Sequence, residues 1–163
     1  MSAPMKSRSA AVIPALLVLW AAAGLANAGA FIMGNRPSAM GIAATVLAVC
    51  GWLVAAWLTG ARAERGFMRF AAIFWGVLVL LTPVVFWVLS AAPGMSALRG
   101  GLVLPLLLAV LMAPLYGLYA LLPLGEPLFQ GTLGALAVLV STWALYSTGR
   151  RTGVSGARVE SDG

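Results

Sequence analysis

Residues 37–61 read PSAMGIAATVLAVCGWLVAAWLTGA, a stretch without one charged side chain. A helix needs about 20 apolar residues to cross the hydrocarbon core of a bilayer, so this stretch is long enough for one crossing. Four more charge-free stretches cover most of the remaining chain, at 9–35, 70–98, 100–125 and 127–149. Because backbone groups in hydrocarbon must bond within their own segment, the crossings are predicted to be helices.

The composition predicts an all-α, polytopic transmembrane bundle. Hydrophobic residues make up 62% of the chain and charged residues 9%, against about 25% charged in soluble domains. We predict a cytoplasmic tail at 1–9, a transmembrane domain at 10–148 and a disordered tail at 149–163, which is rich in Gly, Ser and charge. Five spans are predicted, at about 10–33, 39–59, 68–90, 101–124 and 131–148. The alternative is four spans plus a re-entrant or interfacial segment.

The basic residues predict the orientation. Those near the first span and between the second and third are Lys6, Arg8, Arg62, Arg65 and Arg69. Only Arg36 and Arg99 lie in the loops on the other side of the membrane. The positive-inside rule therefore predicts a cytoplasmic N-terminus in an inner (plasma) membrane. Five spans would place Arg150 and Arg151 outside, against the rule, whereas four spans would bring them inside.

The first span also has the outline of a signal peptide. Ala26-Asn27-Ala28 fits an A-x-A cleavage site after an apolar run. Apolar residues resume at once with Ala30 and Phe31, so we expect a retained span, and the mass of the mature protein tests this.

Small residues recur at alternating steps of three and four along spans two and five, which is the period of a left-handed helix contact, and span four has a related set. Such stripes let helices approach closely in lipid. The predicted helix-packing residues are Gly41, Ala44, Ala48, Gly51 and Ala55 on span two, Ala109, Ala113 and Gly117 on span four, and Gly134, Ala137, Ser141 and Ala144 on span five, where the pattern continues to Thr148. Each stripe faces either a partner or a neighbour in the same bundle.

A weakly polar site near the midplane is a second possibility. Its residues are Thr82, Pro83, Pro114 and Ser141, with Thr45, Cys50 and Thr142 nearby in depth. Interior prolines free a carbonyl and kink a helix, and a neutral or lipid-like ligand needs no charge. The simpler expectation is that these hydroxyls bond their own helix or a neighbour.

A faint repeat relates the two halves. A shift of 91 residues aligns Arg8 and Pro14 with Arg99 and Pro105, and the stripes on spans two and five align at a shift of 93. With five spans, the halves would enter the membrane from opposite sides, as in many transporters.

Aromatic residues are predicted to mark the membrane interfaces. Phe67, Phe70 and Trp75 fall toward the cytoplasmic end of span three, and Trp143 and Tyr146 toward the outer end of span five.

The residue types that carry most catalytic chemistry are missing or lie outside the spans. The chain has no histidine, which excludes imidazole catalysis and bis-His haem ligation. Its four acids, Glu64, Glu126, Glu160 and Asp162, fall outside the predicted spans, so no intramembrane carboxylate pair or proton relay is expected. We expect no enzymatic activity, cofactor or metal. The charge of +6 comes from residues beside span ends, so no nucleic-acid partner is expected.

The sequence therefore favours a non-catalytic accessory or scaffold subunit that acts through helix packing. Its expected partners are the lipid bilayer and either a membrane protein or a second copy of the chain. The alternative is a facilitator or a transporter of lipids or small molecules that uses the midplane site.

Overall fold

The computed structural model describes residues 9–91, 103–121 and 127–161, with side chains at 11–84, 110–121 and 132–152. All regular structure in these ranges is helical. The elements are α1 (Ser9–Met33), α2 (Ala39–Ala61), α3 (Arg65–Ala91), α4 (Val103–Tyr116), a 3-10 turn at Gly117–Ala120, and α5 (Pro127–Ser161). The predicted all-α architecture is confirmed.

Among the described residues, four helices are long and apolar enough to cross a membrane, at Ala11–Met33, Ala39–Ala61, Arg65–Val84 and Thr132–Thr152. Helix α4, which lies between the last two of these in the chain, is shorter. Its 14 residues extend for about 21 Å, whereas the 23 residues of α2 extend for about 34 Å.

Two helix ends share one hydrogen-bonding pattern. After α1, the N–H of Asn35 donates to Ala30 (2.9 Å) and that of Gly34 to Phe31 (3.3 Å), the two bonds of a Schellman cap. Gly34 has a φ of 66°, which glycine adopts without steric cost. The end of α2 has the same two bonds. The N–H of Glu64 donates to Thr59 (3.0 Å) and that of Ala63 to Gly60 (2.8 Å).

The helix directions follow from the contacts along each pair. Asn27 of α1 contacts Gly41 of α2, and Val12 lines a groove with Arg62, so α1 and α2 are antiparallel. A Cβ built on Gly60 would overlap the backbone of Tyr146, and one on Gly149 would lie 2.9 Å from the backbone nitrogen of Ala61. These contacts join the last turns of α2 to the later part of α5.

Helices α2 and α5 are therefore parallel. Near the other end of the bundle, Gly117 packs on Gly41 and Thr45 while Gly134 lies beside Leu118, which agrees with this direction. The arrangement gathers exposed arginines in one region, called the basic end below: Arg62, Arg65, Arg69, Arg150 and Arg151. Arg36 is the exposed arginine at the opposite end within the described residues.

Helix α4 runs parallel to α1 and ends at that opposite end. A Cβ on Gly24 would lie 3.2 Å from Pro114, and Phe31 and Tyr116 form an edge-to-face pair at 5.3 Å. The Tyr116 hydroxyl donates to the carbonyl of Asn35 at 3.0 Å. Since α1 pairs with α4 and α2 with α5 in the same direction, the two related halves are parallel, and the inverted arrangement expected from the repeat is wrong.

The centre of the bundle is an aromatic cluster from α1, α2 and α3. Trp52 and Trp75 are fully buried, 5.3 Å apart, and Trp20 meets Trp75 edge-to-face at 5.2 Å. Phe67 is also fully buried. The aromatic residues at the start of α3 therefore form core contacts, because their helical spacing places them on one face of the helix. Tyr146 is buried beside Gly60, at the basic end, where the sequence analysis expected the outer end.

The last helix differs from the expected disordered tail, because α5 continues to Ser161. A helix that is already formed adds one hydrogen bond per further residue without a new nucleation cost. The Thr152 hydroxyl also donates to Gly149 at 2.9 Å. The tail at 1–9 lies outside the described residues except for Ser9.

Replacing Ala63 by glycine should stabilise the protein. Ala63 has a φ of 55°, a left-handed conformation that costs L-residues about 1–2 kcal/mol, partly offset by the greater unfolded-state entropy of glycine. We expect Ala63→Gly to raise the free energy of unfolding by about 0.5–1 kcal/mol. Ala43→Gly, at an exposed position within α2, should lower it by about 1 kcal/mol. Denaturation followed by circular dichroism measures the free energy of unfolding of both variants. If both substitutions change it in the same direction, the cap assignment is wrong.

Candidate functional site

A buried amide on α1 connects three helices near the end opposite the basic end. Asn27 is fully buried. Its Nδ2 lies 2.9 Å from the carbonyl oxygen of Ala23, 3.1 Å from that of Gly41 and 3.0 Å from Oγ1 of Thr45. One side chain thus donates within α1 and across to α2. Such donors are rarely placed in hydrocarbon without acceptors, because an unpaired buried amide is costly.

Thr45 continues the network from α2 to α4. Its hydroxyl lies 2.8 Å from the carbonyl of Pro114 and 3.0 Å from that of Gly41. The hydroxyl has one proton, so it donates to one carbonyl while it accepts from Asn27. Gly117 packs directly on Thr45, where a Cβ would overlap the hydroxyl. We call Asn27, Gly41, Thr45, Pro114 and Gly117 the polar junction.

The polar junction contains no ionisable side chain, so its chemistry is limited to hydrogen bonding. Oδ1 of Asn27 has no hydrogen-bond partner among the described residues and faces the Cα of Gly41. The other buried side-chain atoms in this condition are Nε1 of Trp52 and Trp75, Oγ1 of Thr142 and the hydroxyl of Tyr146. The junction can hold α1, α2 and α4 in register.

The small-residue stripe of α2 lies inside the bundle. Gly41, Ala48 and Ala55 are buried, and Ala44 and Gly51 are half-buried. A Cβ on Gly51 would lie 3.1 Å from Leu19, so this stripe contacts α1 and, through Gly41, the polar junction. Ala113 of α4 and Gly117 of the 3-10 turn are buried, while the side chain of Ala109 lies outside the described residues.

The stripe of α5 has a different environment. Ala137, Ala144 and Thr148 are exposed, and Gly134 and Ser141 are half-buried. The inward face of α5 consists instead of Ala135, Val138, Thr142, Tyr146 and Gly149. Together, the exposed small residues and their larger neighbours form what we call the outer face of α5.

The four residues of the predicted ligand site occupy separate environments. Thr82 is fully buried and its hydroxyl donates to Leu78 of its own helix at 2.7 Å. Pro83 is exposed, Pro114 belongs to the polar junction, and Ser141 is half-buried. None of them lines the apolar groove that lies between α1 and α2.

Sequence reasoning missed the role of Asn27. An amide in the middle of an apolar span is a signal for a buried hydrogen bond, but the flanking alanines suggested a cleavage motif instead. The structure has an unbroken helix through Ala26, Asn27 and Ala28. In the sequence, Thr45 is only one weak polar group among several, because the residues around it do not show that it faces α4.

In the part of the chain that the structure describes, the fold is a helical bundle with four helices long and apolar enough to cross a membrane. No family model, curated protein or solved structure matches the chain.

Thr45→Val should destabilise the protein more than Thr59→Val. The first change removes the bond from α2 to Pro114 and an acceptor of Asn27, for an expected loss of about 1–2 kcal/mol. Thr59 is equally buried on the same helix, but its hydroxyl bonds only Ala55 (2.7 Å) and Ala56 (3.2 Å) of that helix, so we expect a loss below about 0.5 kcal/mol. Equilibrium unfolding in mixed micelles measures both, and equal losses would show that the interhelical bond contributes nothing.

Proposed function

We propose that this protein is a non-catalytic membrane subunit that binds the transmembrane helix of a partner through the outer face of α5. The observation that carries the proposal is the unequal use of the small-residue stripes. Gly41, Ala48 and Ala55 of the α2 stripe are buried within the chain, and so are Ala113 and Gly117, whereas Ala137, Ala144 and Thr148 are exposed.

The outer face of α5 has the features of a helix-packing surface. Its small residues follow steps of three and four with Ser141 at the edge, a period that keeps one side of the helix against a partner. Large apolar side chains flank them, since Val140 is 57% and Trp143 is 63% exposed. In lipid, close backbone approach and dispersion contacts drive association, and alanines permit that approach.

The proposed topology has four crossings, with the basic end in the cytoplasm of an inner membrane. Parallel α2 and α5 support it, because the arginines of the α2–α3 connection and Arg150 and Arg151 in the later part of α5 then all follow the positive-inside rule. The short α4, held by the polar junction, is the re-entrant segment in this proposal. Non-helical backbone at membrane depth is tolerated where it is buried in protein.

Leucine at two positions of the outer face should weaken association. The double variant Ala137→Leu/Ala144→Leu adds bulk where the backbones approach, at a cost of about 1–3 kcal/mol, which is roughly a fivefold to hundredfold weaker complex. Co-purification in mild detergent and the oligomer mass measure this, and they distinguish a second copy from a different protein.

The matched control is Ala43→Leu/Ala72→Leu, which adds the same bulk at exposed alanines of α2 and α3. It should leave both measurements unchanged. Gly51→Leu/Ala55→Leu should instead lower stability, because these positions contact α1 or are buried. If the α5 variant keeps its oligomer size and partners, the packing role fails.

The termini should lie on one side of the membrane. We expect a reporter active only in the cytoplasm to be active when fused at either end of the chain, and a reporter active only outside to be inactive at both. Five crossings would give opposite results at the two ends.

A further inference from the structure

An open groove runs along the outside of the bundle between α1 and α2. Its volume is about 490 Å³, within the roughly 300–1,000 Å³ of small-molecule sites. On α2 it extends from Leu47 to Arg62, which is about 22 Å along the helix. The depth comes from small residues, Ala15 on α1 and Gly51 and Ala55 on α2.

Away from the basic end, the walls of the groove offer only the thiol of Cys50, a weak hydrogen-bonding group, to a ligand. Thr59 lines it, but the hydroxyl of Thr59 donates to carbonyls of its own helix. The exposed side chains of Leu47, Val54 and Leu58 form the rim. The part of a ligand inside this groove must therefore be hydrocarbon.

Arg62 lies at one end of the groove and places a positive charge at the basic end. It is exposed, and Arg65, Arg150 and Arg151 are exposed at the same end. Glu64 is the acid of this region within the described residues, so cations outnumber acids there. A long apolar groove with a guanidinium at one end matches an acyl chain attached to an anionic phosphate, because arginine binds phosphate well.

The dimensions favour a lipid over a partner helix. A helix with its side chains is about 10 Å in diameter. An acyl chain is thinner, and half of the hydrocarbon core is about 15 Å deep, so a chain reaching from the leaflet surface fits the length.

We infer that the groove binds one acyl chain of an anionic phospholipid from the leaflet at the basic end, with the lipid phosphate against Arg62. The site is separate from the outer face of α5. The variant Ala137→Leu/Ala144→Leu should therefore retain the lipid.

The test is native mass spectrometry of the full chain in neutral detergent, with phosphatidylglycerol and phosphatidylcholine of identical acyl chains in equal amounts. The unmodified protein should retain one phosphatidylglycerol in preference to phosphatidylcholine. Arg62→Gln should lower this preference about fivefold, the effect of one cation near an anionic surface. Arg36→Gln removes an exposed arginine at the opposite end and should leave the preference unchanged.

Blocking the groove provides the second arm. Cys50, the single cysteine, is exposed and lines the groove. Cys50→Trp should abolish lipid retention, whereas Ala43→Trp, on the same helix and outside the groove lining, should not. If Cys50→Trp fails to fold by circular dichroism, benzyl methanethiosulfonate coupled to Cys50 of the folded protein gives the same block, which dithiothreitol reverses.

Three outcomes would each overturn the inference. They are equal retention of the two lipids by the unmodified protein, equal effects of Arg62→Gln and Arg36→Gln, and full lipid retention after the groove is blocked at Cys50.

Discussion

The close approach of α2 and α5 sets the arrangement of this bundle. At Gly60 and Gly149 the two backbones are so near that a Cβ on either residue would overlap the other helix. In lipid this contact cannot arise from hydrophobicity, because acyl chains are as apolar as the helices, so dispersion contacts between backbones must supply it. The contact makes α5 parallel to α2 and brings Arg150 and Arg151 beside the arginines that follow α2.

The polar junction provides a different kind of specificity at the other end. Apolar helices in a bilayer can slide and rotate against one another at little cost, since most registers bury similar surfaces. Asn27 and Thr45 form hydrogen bonds that exist in one register only. They connect α4 to the α1–α2 hairpin, so the end of α4 is held at a fixed level of the bundle.

Two surfaces face outward, and they suit different occupants. The outer face of α5 presents small residues at a helical period, which fits another helix. The groove between α1 and α2 is narrow, apolar and closed by Arg62 at the basic end, which fits a lipid chain. Among the described residues, the buried core of the bundle contains no arginine, lysine, aspartate or glutamate.

The sequence by itself determined the helical class, the limits of the first three helices to within three residues, and the period of the small-residue stripes. It did so because charge-free length and helical spacing are local properties. Only the tertiary structure decided that the α2 stripe packs on α1, that Ala137 and Ala144 face outward, that Trp52 and Trp75 form a core, and that α5 is parallel to α2. The physical reason is that nearly every side of these helices is apolar, so no pattern along the chain distinguishes a side that meets lipid from a side that meets another helix.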